Sequence, residues 1–460
     1  MSLREWLPSV SQHLLIAVLA LLVYVLTTRV GRVRRPPTAA IAWVMGLALL
    51  PYVSLPLFLM FGTRKLKAAR GPRRVASGTL QVRGTHWGEA LLLSLGVGPA
   101  HHGTVLLHAD GAASRKSLWA LIDDARNTLD VCTFILGNDP VGRETLARLT
   151  RRASEGVRVR LLLDAAGRWL QQPPSLRAFR KAGGQMAWFN PLLFSLHRRI
   201  PRNLRNHRKH AIADDAVLWS GGRNIADEYF DERLDDPAWI DLTFELRGGV
   251  AAQAAAQFES DWRAARGAAR NDVPSIPATT GDPRDTQFVP SGPDQPEDTV
   301  HTLLLAACFH AQRRLLAVTP YFVPDDDLLE ALRIAVLRGV AVTLVIPRKS
   351  NHLVADFARG RALRLLAEAG ADIRLVPCMV HAKAAVIDDD LAWCGSANLD
   401  ARSLLLNYES ATVLYGESEI HWLAGWIGAL AAKGERLETR PVGLVRDLTE
   451  GLLLMIAFQV

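Results

Sequence analysis

The chain has 460 residues, of which 49% are hydrophobic and 22% charged. That balance excludes a largely disordered chain, and the length suffices for two or three separately cored units. The formal net charge of +8, carried mostly by arginine, points to phosphate-bearing partners: nucleic acid, anionic lipid or a phosphorylated substrate.

Residues 6–28 contain no Asp, Glu, Lys or Arg, and the stretch LLIAVLALLVYVL (14–26) is apolar on every side, which suits lipid better than one face of a soluble core. A second uncharged run covers 36–63. A bilayer core takes about 20 helical residues, so two membrane-embedded helices, forming an N-terminal transmembrane hairpin, are expected over 1–65. The first run is followed by TTRVGRVRRPP and not by a small-residue cleavage site, so it reads as a retained anchor. Pro51 and Pro56 are expected to kink the second helix or make it re-entrant. Arg4, Arg64, Lys65, Lys67, Arg70, Arg73 and Arg74 outnumber Arg29, Arg32, Arg34 and Arg35 of the link, which leans towards a cytoplasmic catalytic part.

Beyond residue 75 the apolar runs shorten and alternate with helical periodicity, as in an α/β domain. TLDVCTFIL, VGRETLARLTRRASEG and VRVRLLLD read as strand, helix and strand, and RLLAVTPYF, DLLEALRIAVLRG and VAVTLVIP repeat that order. A further helix and strand follow in each, LRAFRKAGGQMAWF and ALRLLAEAGADIRLV. The repeat is therefore a domain-scale duplication, with a first unit over 75–265, a linker over 266–299 rich in proline, glycine and aspartate, and a second unit over 300–460. Two such α/β/α units can pair about a pseudo-twofold axis and bring equivalent loops to one cleft.

Each unit carries one copy of H-x-K-x4-D: His207, Lys209 and Asp214 in the first, His381, Lys383 and Asp388 in the second. Alternation along a strand points each His and Lys the same way. The next strand ends in a small-residue turn with an asparagine, GGRN with Asn224 or GSAN with Ser396 and Asn398, where donors could hold phosphate oxygens. Two lysines and two asparagines around one phosphodiester suit phosphoryl transfer, with one imidazole as nucleophile and the other as acid and base. Such a site needs no metal and no cofactor, because the lysines supply the positive charge. A nucleophilic histidine needs an acceptor on its other nitrogen, and Asp241 and Glu409, on strand-like segments downstream of the two copies, are the candidates.

Arg198, Arg199, Arg202 and Arg205 precede the first histidine and are expected to attract anionic headgroups, with Trp188, Phe189, Leu192, Leu193 and Phe194 beside them either at a lipid interface or in the core. Cys132, Cys308, Cys378 and Cys394 are scattered and read as buried thiols. The apolar end GLLLMIAFQV is too short to span and is expected either to pack on the domain or to touch the interface.

The paired motifs resemble those of the phospholipase D superfamily, and the chain as a whole is similar to its bacterial cardiolipin synthases. RRPPTAAIAW, NHRK with GGRNIADEY, TPYFVPDD, and GSANLDARS with NYE carry the resemblance. It implies condensation of two phosphatidylglycerols into cardiolipin plus glycerol through a phosphatidyl-histidine, with His207 as nucleophile and His381 as acid and base. A multi-pass protein of the bacterial inner membrane with its site on the cytoplasmic side is expected, with anionic phospholipids and the bilayer as partners and, given the two membrane segments, no nucleic acid. VPCMVHAK at the approach to the second histidine and WIDLTF in the first unit depart from the usual pattern, which leaves open another headgroup donor or alcohol acceptor, or a phospholipase D. A phosphodiesterase acting on nucleic acid and a non-catalytic lipid-binding protein are the remaining alternatives.

Overall fold

The first apolar run forms one continuous helix, α1 (Val10–Gly31), with a mean hydropathy of 2.1 over Val10–Thr27. The computed structural model describes residues 9–31, 37–62, 85–190, 203–231, 237–268 and 284–439, together with 443, 446, 449 and 450. Among these residues α1 is the one helix long and apolar enough to cross a membrane. The second run breaks into α2 (Pro37–Leu49) and α3 (Pro51–Phe61), because Leu50 leaves the helical region with φ −134° and ψ 56°. The ring of a proline pushes the residue before it out of the helical region, and Pro51 then suits the first turn of α3. At 13 and 11 residues neither piece crosses a bilayer alone, and the expected interruption of the second run at its prolines takes the form of a break before Pro51. Phe58 closes the pair, with Tyr24 of α1 and Trp43 of α2 each 5.2 Å from it between ring centroids.

Two sheets follow. The first contains β1 (Gly103–His108), β2 (Thr128–Thr133), β3 (Arg158–Asp164), β4 (Gln185–Phe189), β5 (His210–Ala213), β6 (Val217–Gly221) and β7 (Thr243–Gly248), in the order β1-β7-β6-β5-β2-β3-β4. The remaining strands are β8 (Thr286–Ser291), β9 (Arg314–Val318), β10 (Phe322–Val323), β11 (Ala341–Pro347), β12 (Asp372–Val376), β13 (Ala384–Ile387), β14 (Leu391–Gly395), β15 (Leu399–Asp400), β16 (Glu409–Leu414) and β17 (Glu435–Arg436). They form a sheet β17-β12-β11-β9-β13-β14-β16-β8 and a small β10-β15 pair. In both large sheets three parallel strands, β2-β3-β4 and β9-β11-β12, abut an antiparallel set. Position by position β1 to β7 therefore match β8, β9, β11, β12, β13, β14 and β16, and the duplication extends to topology.

The helices after β2 and β9 start on sequence signals. Asp139 caps Pro140–Ser154 by accepting from Gly142 N at 2.8 Å, and Asp325 caps Asp326–Leu337 by accepting from Leu328 N at 3.2 Å. Their apolar faces bury Leu146 and Leu149 in one half, and Leu328 and Leu332 in the other.

Two segments cross the expected unit boundaries. Residues 286–291, within the stretch expected as linker, form β8, an edge strand paired with β16, where Pro290 is tolerated because a strand edge does not need its N–H. The helix Trp87–Ser94, within the expected first unit, buries Leu92 in the core of the second half, as Val97 just after it does. One continuous core also joins the halves, with Phe258 and Trp262 of the helix Gly249–Ala265 clustering with Leu423 and Ile427 of the helix Glu417–Lys433.

Candidate active site

Two parallel bridges join the halves, and each places a motif histidine. Asn206 pairs with Tyr408, so that His207 N donates to Tyr408 O at 2.9 Å, and Ile240 pairs with Val380, so that His381 N donates to Ile240 O at 2.7 Å. Backbone that leads into β7 and β16 thus threads past the histidine of the opposite half. Side-chain pairing is crossed accordingly. His207 Nδ1 lies 3.0 Å from Glu409 Oε1, and His381 Nδ1 lies 2.7 Å from Asp241 Oδ2. The structure brings both sequence candidates to the histidines, and each carboxylate serves the histidine of the other motif copy.

The pairs differ in their support. Glu409 Oε2 accepts from Ser396 Oγ at 2.5 Å, and Oε1 accepts from Asn407 Nδ2 at 3.4 Å. Asp241 faces Gly222, the counterpart of Ser396, where an added Cβ would stand 2.2 Å from Oδ1. The shorter carboxylate therefore requires glycine at this position. Ser396 was expected to hold phosphate, but its hydroxyl is directed to Glu409, so it steadies the carboxylate instead.

Lys209 Nζ donates to His207 O at 2.8 Å, whereas Lys383 Nζ contacts His381 O and stands 2.8 Å from the ring Nδ1 and 3.1 Å from Nε2. Burial, more than any neighbour, pushes the lysine pKa values down, to about 8 for Lys209 and about 7 for Lys383. Burial and the Lys383 ammonium hold His381 down at about 3, against the pull of Asp241. Burial likewise lowers His207, with Lys209 and Lys383 adding to it and Glu409 opposing. Burial alone would raise Asp241, but His381 and Lys383 bring it to about 2, so it stays ionised. Glu409 is lowered in the same way, its burial outweighed by His207 and Lys209. Each lysine thus acts on the histidines of both halves, as expected of one shared cleft.

The asparagines line this cleft from the adjoining turns. Asn224 Nδ2 donates to Tyr229 Oη at 2.8 Å while its Oδ1 accepts from Ile135 N at 3.2 Å, and Asn398 Nδ2 donates to Ser403 Oγ at 3.1 Å. Asn398 also hydrogen-bonds the Asp400 carboxylate. Sequence reasoning missed the aromatic walls: Phe134 meets His207 edge-on at 5.2 Å, and Tyr229 meets His381 edge-on at 5.1 Å. It also missed Arg208, buried between the halves, which donates to Glu409 O at 2.9 Å, Asp261 Oδ2 at 2.6 Å and Ser291 O at 3.0 Å. The signal for Arg208 and Tyr229 lay in the motif letters themselves, the R of NHRK and the Y of GGRNIADEY.

The motif aspartates, expected among the catalytic groups, lie elsewhere. Asp214 and Asp388 follow β5 and β13, at the strand ends remote from His207 and His381, with φ of 52° and 51°. Aspartate tolerates this left-handed conformation better than most residues. Asp214 accepts from Arg126 N, Asn127 N and Thr128 N at 2.6–2.8 Å, and Asp388 accepts from Gln312 N, Arg313 N and Arg314 N at 2.8–2.9 Å. Despite some burial, these amides hold both carboxyls below the ordinary value. The stability they contribute is therefore present above the ordinary carboxylate pKa and lost as pH falls through the lowered one. Asp388→Ala is expected to cost roughly 2–3 kcal/mol in urea unfolding while changing turnover less than about threefold.

Of the basic cluster, Arg205 is buried and donates to Asn190 O at 2.8 Å, so it braces the loop instead of facing headgroups. Arg198, Arg199, Arg202, Leu192, Leu193, Phe194 and the end 451–460 lie outside the described residues. Phe189 is core, Trp188 is half-buried, and all four cysteines are free thiols, three of them buried.

A family model described as "Cardiolipin synthase, PLD-like domain" matches residues 118–262 and 304–430, one match for each half. Cardiolipin synthase A of Pseudomonas entomophila is 32% identical over 425 residues, covering 86% of this chain and 85% of that protein. Cardiolipin synthase 1 of Bacillus cereus is 29% identical over 418 residues, covering 84% and 82%. Among solved structures, phosphatidylserine synthase of Haemophilus influenzae superposes with a TM-score of 0.60 at 13% identity, over 81% of this chain and 100% of that one, a likeness of fold. Sequence match, duplicated topology and the shared two-histidine cleft agree, and the chain belongs to the cardiolipin synthase family of phospholipase D-like proteins.

Proposed function

We propose that this protein is a membrane-anchored phosphatidyltransferase that condenses two phosphatidylglycerols into cardiolipin and glycerol. The carrying observation is the crossed pairing of His207 with Glu409 and His381 with Asp241, which makes one site from both halves. In the first step His207 Nε2 attacks phosphorus, the bond to the glycerol oxygen breaks, and His381 protonates that oxygen. In the second step His381 takes the proton from a hydroxyl of the second phosphatidylglycerol, that oxygen attacks phosphorus, and the P–N bond to His207 breaks. The greater exposure of the His207 side chain, 15% against 5% for His381, supports His207 as the nucleophile. Glu409 accepts the Nδ1 proton of His207 and stabilises the ring as it becomes cationic. Lys209, Lys383 and the asparagine amides balance charge on the phosphoryl oxygens. A bound phosphodiester draws the Lys383 charge away from the His381 ring and so lets His381 carry a proton.

The apolar α1 supports a bilayer anchor, and the basic segments around it favour an inner-membrane protein, multi-pass if α2 and α3 together complete a re-entrant or second crossing, with the site on the cytoplasmic side. The purified full chain in mixed micelles with labelled phosphatidylglycerol and excess chelator is expected to yield cardiolipin and glycerol in equal amounts. Phosphatidic acid as sole product would overturn the synthase reading, and oligonucleotide cleavage without lipid turnover would overturn lipid chemistry altogether.

The lysines give a pH-dependent signature. With pKa values of about 8 and about 7, Lys209 and Lys383 are incompletely protonated at neutral pH, and a bound phosphate anion favours their charged forms. Binding of a phosphonate analogue of phosphatidylglycerol is therefore expected to take up roughly one proton on the lysines near pH 7.5, falling towards none on them at pH 6 and rising at pH 9, in addition to the proton that His381 acquires. Calorimetry in buffers of different ionisation enthalpy measures this uptake.

A further inference from the structure

Outside α1–α3, the most exposed large apolar side chains among the described residues are Trp169 at 76% and Leu353 at 74%. Each has an exposed apolar companion, Leu170 and Phe357. The two pairs occupy equivalent places in the duplication. The short helix Gly167–Leu170 follows β3, and the helix Leu353–Ala369 follows β11, its counterpart. Both therefore stand at the carboxyl ends of parallel strands, where open α/β sheets present their sites.

Both pairs also adjoin the walls of the cleft. Gly167 approaches the Phe134 carbonyl so closely that a Cβ would meet its oxygen at 1.7 Å, and the Phe134 ring is the one that packs on His207. On the other side Tyr321 meets His352, the residue before Leu353, at 5.1 Å, and its hydroxyl donates to Asn351 Oδ1 at 2.5 Å. Tyr321 directly precedes the Phe322 pairing with Leu399, next to Asn398. An apolar pair thus flanks each histidine's half of the cleft.

Basic side chains adjoin both pairs, and beside Phe357 the acidic Asp356 is paired with Arg359. Arg168 is exposed beside Trp169, and Arg348 and Lys349 are exposed before Leu353, Arg348 pairing with Glu435. Apolar tips with a basic collar match an anionic bilayer surface, where tryptophan favours the headgroup level and cations meet lipid phosphates. We propose that Trp169, Leu170, Leu353 and Phe357 form a two-footed docking surface that seats the cleft on an anionic lipid bilayer. A phosphate at the headgroup level then reaches both histidines without the lipid leaving the membrane. This inference rests on the phosphatidyl-transfer reading.

The test uses the full chain in vesicles of phosphatidylglycerol and phosphatidylcholine, with a nitroxide placed by Trp169→Cys or Leu353→Cys, and by Leu106→Cys as a control on β1. Wild-type protein carried through the same labelling gives the background of the native thiols. Labels at 169 and 353 are expected to be accessible to oxygen and shielded from a water-soluble nickel chelate, with the reverse at 106. Water accessibility at 169 and 353 would overturn the proposal, as would shielding from both reagents, which would mean that protein covers the patch. The double variant Trp169→Ser, Leu353→Ser is expected to raise the apparent KM for vesicle phosphatidylglycerol at least about tenfold. Its turnover of dihexanoyl phosphatidylglycerol, kept below its micellar concentration, should match wild type. An equal loss on both lipids would overturn the docking role. If wild type converted neither lipid, the phosphatidyl-transfer reading would fail, and the label accessibilities would still decide the docking.

Discussion

His207→Ala and His381→Ala are each expected to lower cardiolipin formation at least about 10³-fold, and a substrate with a good leaving group is expected to separate them. With phosphatidyl-p-nitrophenol the departing oxygen needs little protonation. His381→Ala should then release a burst of p-nitrophenol equal to the enzyme present, followed by slow turnover, because the phosphatidyl-His207 intermediate forms but no base activates the acceptor. His207→Ala should release no burst. The structure motivates the assignment through exposure and crowding. The His207 side chain is the more open, and the His381 ring is held neutral by burial and by the Lys383 ammonium beside it. A burst in His207→Ala alone would reverse the roles, and near-normal turnover in either variant would remove the shared cleft.

Glu409→Gln and Asp241→Asn are each expected to lower kcat about 10²- to 10³-fold with KM within about threefold, since neither carboxylate is placed against substrate. The same p-nitrophenyl substrate tests the crossing. Glu409 serves His207 and Asp241 serves His381, so Asp241→Asn should keep the burst and Glu409→Gln should lose it. Pairing within each half would give the opposite pattern. Asp241 is held at about 2, so its ionisation should contribute no limb to the pH–rate profile over the working range. In Asp241→Asn the His381 pKa should fall further, because an attractive charge is removed while Lys383 remains.

Much of the architecture was legible because it depends on local chemistry. The apolar period of VGRETLARLTRRASEG gives a helix that buries one face whatever lies beyond. The repeated H-x-K and G-x-x-N spacings recur at equivalent places in the two halves, the H-x-K letters just before β5 and β13 and the G-x-x-N letters at the ends of β6 and β14. Leu50 to Pro56 was legible only as a risk of kinking. Whether a proline bends a helix or ends it depends on what the broken ends pack against, here Tyr24 and Trp43 around Phe58.

What the sequence by itself determined is the duplicated α/β pattern, the apolar first helix and the residue types of the site: two histidines, two lysines and two downstream carboxylates. What only the tertiary structure decided is who partners whom. Glu409 reaches His207 across 202 positions and Asp241 reaches His381 across 140, through bridges at Tyr408 and Ile240 that exist only once the halves have docked. The same holds for β8, which reads as linker because a short edge strand with a proline carries little signal until β16 supplies its hydrogen bonds. The motif aspartates share the pattern of the catalytic letters, yet a positive φ and three backbone amides made them turn supports. Spacing along a strand fixes direction, but the partner at the end of a side chain is set by segments that are distant in the chain.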